Sequence, residues 1–173
     1  MAYPPKRKKV KRKKKAGNEI EKAKETAFHF LSYRPRSVEE VRRKLKEKGF
    51  SPPTIKRTLT RIKELGYLND GDYAYMLACS SIENKQWGIV RIYNALVNRG
   101  ISQEIIAQTI AKIKEEYDII QIARQALETK FSYLSSHQHA DEKIRNKVIN
   151  YLRRKGFSWN TIFSVIKSSA DCT

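Results

Sequence analysis

The sequence is poor in the residue types that build catalytic and metal sites. Its 173 residues include two cysteines and three histidines. Cys79 and Cys172 lack CxxC spacing and have too few partners for a zinc site, which argues against a transition-metal enzyme. The phosphate-loop pattern G-x-x-x-x-G-K-S/T is absent, so ATP hydrolysis by this chain is not expected. We therefore expect a non-enzymatic protein with no cofactor and no metal.

The remaining candidates for chemistry have simpler interpretations. His137 and His139 lie with Asp141 in the polar stretch SSHQHADE, which is interpreted as a loop with incidental histidines rather than a metal or base cluster. Cys79, in LACSS, is predicted to be a small core residue. An enzyme would need a pocket that the sequence does not indicate.

Long apolar runs are also missing. No window holds 18 consecutive apolar residues, so no membrane span is predicted. The start, MAYPPKRKKVK, lacks the apolar stretch of a secretory signal. With so few cysteines, a reduced intracellular compartment is the default expectation. The oligomeric state is left open by the sequence, with a monomer as the default.

Acidic residues are scarce: 18 Asp+Glu stand against 36 Lys+Arg, giving a net charge of +18. Half of that charge lies in residues 1–18, where KRKKVKRKKK holds nine basic residues in ten. Such a run repels itself and buries nothing, so a disordered tail is predicted. It is interpreted as a nucleic-acid arm that neutralises phosphates, a nuclear-import signal or a solubilising tail.

The charge of the remaining chain is uneven. Residues 19–69 carry +6, residues 70–117 carry −1 and residues 118–173 carry +4. Phosphate contacts are therefore expected from the two ends, while the centre is better suited to meet protein.

Glycines are few, and three of them mark an internal repeat. Gly49, Gly100 and Gly156 are spaced by 51 and 56 residues. Each has Leu four residues before, Ser two residues after and Ile six residues after, among seven matched columns: Leu45, Leu96, Leu152, Ser51, Ser102, Ser158, Ile55, Ile106 and Ile162. Seven columns in three copies indicate tandem repetition.

The first copy predicts a helix, a glycine turn and a second helix. Ser37 and Glu40 form a capping box that opens the first helix. Gly49 follows its last turn, where a left-handed residue favours glycine, and Phe50 packs back after the cap. Ser51 is predicted to cap the second helix, with Pro52 at its first position.

A further helix precedes each pair, at about 20–33, from 69–70 onward, and at about 119–134. No stretch alternates with period two, so the fold is predicted to be all-α. We expect three tandem three-helix repeats in an elongated curved array, with boundaries at 19–69, 70–117 and 118–173 after a basic tail over 1–18.

Candidate binding residues follow from this organisation. Basic side chains of the tail and around the second helices in repeats 1 and 3 are candidates for contact with nucleic-acid phosphates, although each could also belong to a solvated helix face: Lys6, Arg7, Lys8, Lys9, Lys11, Arg12, Lys13, Lys14, Lys15, Arg34, Arg36, Arg42, Arg43, Lys46, Arg153, Arg154 and Lys155. Candidates for a protein partner are Tyr75, Trp87 and Arg91, whereas Tyr67, Tyr73 and Tyr93 are predicted to be core.

The segment RPRSVEEVRRKLKEKGFSPPTIKRTLTRIKELGYLNDGDYA resembles the RecX regulatory proteins of bacteria. The strings Arg-Pro-Arg-Ser (34–37) and Gly-Tyr-Leu-Asn-Asp (66–70) carry the resemblance, and Gly88, Arg91 and Ile92 match a later family motif. Trp87 departs from the pattern, because small or basic residues are commoner there.

The resemblance implies a modulator of the RecA recombinase that binds the RecA–DNA filament and suppresses ATP hydrolysis and strand exchange, in the regulation of DNA repair. It also implies a bacterial cytoplasm, although the tail leaves an organellar or nuclear setting open. The alternative hypothesis is a general nucleic-acid-binding protein that uses the lysine-rich tail as its main arm.

Overall fold

The computed structural model describes residues 7–131 and 142–170, with side chains at 18–131 and 142–167. Within these ranges the chain is all-helical, as predicted. The helices are α1 (Arg7–Ser32), α2 (Val38–Glu47), α3 (Pro52–Glu64), α4 (Asp70–Lys85), α5 (Ile89–Asn98), α6 (Gln103–Glu116), α7 (Ile119–Phe131), α8 (Glu142–Lys155) and α9 (Trp159–Ala170). The chain divides into two compact units, residues 1–73 and 74–173. The predicted loop around His137 and His139, and Cys172, lie outside the described residues.

The start of α1 differs from the sequence prediction. A disordered tail is predicted over 1–18, whereas the structure describes helix from Arg7 onward. Lysine and arginine have high intrinsic helix propensity, and no glycine or proline interrupts the run before Gly17. The tail's candidate side chains, from Lys6 to Lys15, lie outside the described side chains.

The glycine turns are confirmed. Gly49, Gly66, Gly100 and Gly156 all have positive φ, between 73° and 88°. At the first turn the Phe50 amide donates to the Leu45 carbonyl at 3.2 Å, and the Gly49 amide donates to that of Lys46 at 3.0 Å. These two bonds form the Schellman cap of α2.

The first unit packs α1, α2 and α3 around one core. Ala23 and Ala27 of α1 meet Val41 and Leu45 of α2, with Ile55, Leu59 and Ile62 of α3, and Phe50 packs against this cluster as predicted. The exposed outer faces of α2 and α3 are therefore available to carry the polar side chains.

The caps of α2 and α3 have different chemistry. Ser37 and Glu40 form the predicted capping box, with both hydrogen bonds at 3.1 Å. Ser51 stands at the start of α3 but makes no side-chain cap. Its hydroxyl donates to Thr54 Oγ1 at 2.9 Å instead. Ser51 is therefore the N-cap residue, as predicted, but its side chain makes no hydrogen bond to a backbone amide of α3. Pro52 and Pro53 have no backbone N–H, so the first turn of α3 has no donors to cap at these two positions.

The second unit contains most of α4 and all of α5–α9. Its third-repeat core joins α7, α8 and α9 through Ala123, Ala126, Val148, Leu152 and Val165.

Of the three tyrosines predicted to be core, Tyr73 is buried, whereas Tyr67 (61% exposed) and Tyr93 (38% exposed) are not. Tyr67 packs edge-on against Phe28 at the surface, and the Tyr93 hydroxyl donates to Gln103 Oε1 at 2.9 Å.

Candidate functional site

The basic candidates around α2 are mostly paired with carboxylates of their own repeat. Arg34 Nη2 lies 2.7 Å and Arg36 Nη1 lies 3.5 Å from Glu40 Oε1. Arg36 is largely buried, and its guanidinium stacks 4.1 Å above the Phe30 ring. These contacts give Arg36 a role in packing and make it a weak candidate for phosphate contact.

Glu40 is the centre of this network. Burial acts to raise the pKa of its carboxylate, but hydrogen bonds from the Ser37 amide and the Arg34 guanidinium outweigh burial and hold the pKa below its ordinary value. The Tyr73 hydroxyl also donates to Glu40, at 3.1 Å. The carboxylate thus joins the cap of α2 to the start of α4.

The two neighbouring arginines share a second carboxylate. Arg42 Nε and Arg43 Nε lie 3.1 and 3.3 Å from the two oxygens of Glu39. About half of each arginine side chain remains exposed, so these ion pairs are weak surface pairs. A phosphate would still have to compete with Glu39 for both guanidinium groups.

Several cations of the first unit make no ion pair within the described part of the chain, and they are exposed. Lys46 is a predicted candidate among them, and Lys48 lies close to it at the end of α2. Sequence reasoning missed the others, which are Lys22, Lys56, Arg57 and Lys63. Lys56 and Lys63 are seven residues apart and therefore share a face of α3. The missed signal was local charge balance, because α3 holds four basic residues and one acidic residue, Glu64.

The third repeat is the other basic surface. Residues 143–167 include seven Lys and Arg residues and no acidic residue. Arg153 is exposed, with its guanidinium 4.9 Å above the Trp159 ring, and the side chain of Arg154 is also exposed. With no carboxylate beside them in 143–167, these cations are better placed for phosphate than the arginines of α2.

Lys155 has a different role from its two neighbours. Its ammonium donates to the Lys85 carbonyl at 2.7 Å. Burial, followed by repulsion from Arg91, lowers the pKa of Lys155 from its ordinary value. Lys155 therefore ties the end of α8 to the end of α4 within the second unit.

Two predicted protein-partner candidates lie in the same junction. The Trp87 ring is flanked by the cations of Lys85 (4.8 Å) and Arg91 (4.3 Å), and Arg91 Nη1 donates to the Arg154 carbonyl at 3.0 Å. Trp87 is only partly exposed. These contacts connect the second and third repeats, so Trp87 and Arg91 already have an intramolecular structural role.

Two glycines make this junction possible. The Gly88 amide donates to the Lys155 carbonyl at 2.8 Å, and the Val90 amide donates to the Gly156 carbonyl at 3.0 Å. A Cβ added to Gly88 would lie 2.3 Å from the carbonyl carbon and oxygen of Gly156. Main-chain carbonyls at the end of α8 thus cap the N-terminus of α5.

Tyr75, the third partner candidate, is also engaged within its repeat. Its hydroxyl donates to Glu116 Oε2 at 2.6 Å, and Lys112 lies 3.8 Å over the ring. Donation to the carboxylate raises the pKa of Tyr75 well above its ordinary value. This arrangement pins α4 to α6 and leaves Tyr75 partly exposed.

Little in the described residues suggests catalysis. A cavity of about 390 Å³ is lined by Lys114, Tyr117, Asp118, Ser158 and Thr161 together with three isoleucines. Asp118 accepts the Ile120 and Gln121 amides, so its carboxylate caps α7. No group of three or more His, Cys, Asp or Glu side chains that could hold a metal occurs in this part of the chain. Within the same ranges, no helix is long and apolar enough to cross a membrane.

The sequence matches three family models in chain order. Residues 23–61 match the first three-helix domain of RecX, residues 69–110 the second, and residues 116–166 the third. A Regulatory protein RecX from Clostridium acetobutylicum is 30% identical over 146 residues, covering 84% of this chain and 67% of the relative. The chain belongs to the RecX family. A Clostridium perfringens RecX is 29% identical over 150 residues, covering 87% of this chain and 69% of that relative.

Solved RecX structures have the same fold. RecX from Lactobacillus salivarius superposes with a TM-score of 0.74 at 22% identity, covering 91% of this chain and 99% of that one. A second regulatory protein RecX gives a TM-score of 0.76 at 20% identity, covering 97% and 81%. The relatives are named regulatory proteins, and the three-repeat helical architecture predicted from the glycine spacing is that of the RecX family.

Proposed function

We propose that this chain binds the filament that the RecA recombinase forms on DNA and inhibits its ATP hydrolysis and strand exchange. Membership of the RecX family is the observation that carries this proposal. The charge distribution supports it, since the first and third repeats carry the unpaired cations that a DNA-containing filament would attract. The relatives come from bacteria, so the proposed setting is a bacterial cytoplasm, with the chain acting as a monomer.

A mechanism follows from rigidity. RecA subunits must move during hydrolysis and strand exchange, and a bound protein resists that motion to the extent that it favours one filament state. The second and third repeats are held together by main-chain hydrogen bonds at Gly88 and Gly156. Such a stiff block, bound across neighbouring subunits, would restrain their movement.

The test is a titration of DNA-dependent RecA ATPase with the full chain. We expect inhibition to saturate when the concentration of the chain equals the concentration of its binding sites on the filament. An ATPase rate that stays unchanged up to a large excess of the chain would contradict the proposal. Strand exchange, measured on the same samples, should fall in parallel.

Paired and unpaired cations give a matched comparison for the contact surface. Lys46→Gln with Lys56→Gln removes two unpaired charges, and Arg42→Gln with Arg43→Gln removes two that are paired with Glu39. If Lys46 and Lys56 contact phosphates, their loss lowers the slope of log K against log salt for duplex DNA by about 1.8. The arginine variant should change the slope by less than half as much. Equal salt slopes for the lysine and arginine double variants would refute the assignment of Lys46 and Lys56 to the contact surface.

The second candidate function is general nucleic-acid binding through the basic tail, which holds half of the net charge. Deleting residues 1–18 separates the two functions. It leaves Glu19, whose carboxylate accepts the Ser51 amide at 3.0 Å. If the tail hypothesis holds, the deletion removes most of the affinity for DNA, and the chain does not inhibit the RecA ATPase with or without the tail. If the RecA proposal holds, inhibition of the ATPase largely survives the deletion.

A further inference from the structure

The outer face of α9 carries two large aromatic side chains that the fold leaves exposed. Trp159 is 49% exposed and Phe163 is 52% exposed. They lie four residues apart on one face of the helix, with ring centroids 5.6 Å apart and planes inclined by 22°. This is a stacked pair, and about half of its surface is open to solvent.

A comparison of the three repeats shows whether a three-helix repeat needs this aromatic pair in order to fold. Counting from the turn glycine, the position of Trp159 is Pro52 in the first repeat and Gln103 in the second. The position of Phe163 is Lys56 in the first and Ala107 in the second. Neither other copy has an aromatic residue at these positions, so three-helix packing does not require the pair.

The surroundings of the pair are cationic. Arg153 places its guanidinium 4.9 Å over the Trp159 ring, Arg154 is exposed next to it, and Lys167 follows on the Phe163 face one turn later. Residues 143–167 contain no carboxylate. An acidic partner is therefore favoured, and the flat rings add a preference for a partner with exposed π-faces.

An unpaired nucleic-acid strand has both properties. Its phosphates meet lysine and arginine, and its bases stack on aromatic side chains and on arginine planes without regard to sequence. Duplex DNA offers the same phosphates but keeps its base faces stacked inside. A purely electrostatic surface would not need the rings at all.

We propose that Trp159 and Phe163, flanked by Arg153, form a base-stacking site for single-stranded DNA on the third repeat. This inference deepens the proposed function, since a strand so held would be one that the recombinase engages. It does not depend on RecA inhibition for its test, because the site binds the strand directly.

The first experiment uses fluorescence. In a Trp87→Phe full chain, Trp159 is the only tryptophan. Titration with a thymidine homopolymer should quench its emission, because a base stacks on the indole, whereas duplex DNA should leave the emission nearly unchanged. Equal quenching by duplex and single strand, or none by either, overturns the proposal.

The second experiment uses affinity. Trp159→Ala should weaken binding of the thymidine homopolymer about tenfold, the usual effect of losing one stacked base, while Trp159→Phe retains most of the affinity. Duplex affinity should change less than about twofold. Tyr93→Ala, at another exposed aromatic residue that no described cation overlies, is the matched control and should bind as the parent does.

The slope with salt separates stacking from charge. Trp159→Ala should leave the slope of log K against log salt unchanged, whereas Arg153→Gln should lower it by about 0.7 on a single strand. If Trp159→Ala binds the strand normally but no longer binds RecA, the face is a protein-docking surface and the proposal is wrong. If the wild-type chain fails to inhibit RecA yet shows the quenching, the proposed function fails while this site stands.

Discussion

The contact between Gly88 and Gly156 gives a prediction whose size follows from the geometry. A Cβ on Gly156 would lie 2.4 Å from the Cβ of Arg91 and 2.5 Å from its backbone nitrogen, where ordinary contact begins at 3.4 Å. These are atoms near the main chain, so they cannot swing aside. The segments would have to separate by about 1 Å, which breaks the Gly88–Lys155 and Val90–Gly156 hydrogen bonds.

We expect Gly156→Ala to lower the free energy of unfolding by about 3 kcal/mol. About 1 kcal/mol comes from placing a side chain at a φ of +88°. The other 2 come from the two lost hydrogen bonds, at about 1 kcal/mol each. Gly49→Ala is the matched control, because its φ is +80° and nothing lies within 4 Å of the added Cβ. That variant should lose only about 1 kcal/mol.

Two assays check the prediction. Urea denaturation gives the free energies, and hydrogen exchange of the Gly88 and Val90 amides reports the junction itself. Both amides should exchange much faster in Gly156→Ala and at the parent rate in Gly49→Ala. If the two variants lose equal stability and the amides stay protected in both, the reasoning is refuted.

Three further predictions concern single side chains. Glu40→Gln should lower the free energy of unfolding by about 2 kcal/mol at neutral pH. Because folding lowers the pKa of Glu40, the carboxylate stabilises the fold above its ordinary pKa of 4.5, and this stabilisation is lost as the pH falls through the lowered pKa. The denaturation curves of parent and variant should therefore converge in acid. In urea denaturation, Ser37→Ala should lower the free energy of unfolding by about 1 kcal/mol and Ser51→Ala by less than half of that, because of these two serines Ser37 alone accepts a hydrogen bond from a helix amide; equal losses would contradict the cap assignment. Tyr75→Phe should lower the melting temperature slightly, because the hydrogen bond to Glu116 is lost, whereas an unchanged melting curve would mean that this bond contributes nothing.

The backbone plan of the repeats could be predicted because its signals are local. A glycine with positive φ after a helix and a serine three residues before a glutamate depend on neighbours within one turn, so Gly49, Gly100 and the Ser37–Glu40 box are visible in the sequence. The same locality explains the error at Ser51. The serine is correctly placed at the start of α3, but its hydroxyl donates to the hydroxyl of Thr54 instead of capping a backbone amide.

The candidate site was harder to predict, because the availability of a cation depends on which carboxylate it meets in three dimensions. The pairing of Arg36 with Glu40 has helix-like spacing and could have been anticipated. The stacking of Arg36 on Phe30 could not, since it needs the packing of α1 on α2. The outer face of α3, with Lys56 and Lys63, was visible as a charge imbalance and was missed.

The junction of the second and third repeats left a trace in the repeat alignment. The position that is Ser37 in the first repeat is Gly88 in the second, and the position of Glu40 is Arg91. Both partners of the capping box are therefore replaced together. Read as a pair, these two replacements indicate that α5 obtains its cap from elsewhere in the chain, although they do not say from where.

The capping of α5 by carbonyls at the end of α8 affects the order in which the chain folds. A helix such as α2 carries its own cap and can close as soon as its residues have been synthesised. The start of α5 must wait for the carbonyls of Lys155 and Gly156, which are translated long after it. During synthesis the first repeat can fold alone, while the N-terminus of α5 stays frayed until residues 155 and 156 have left the ribosome.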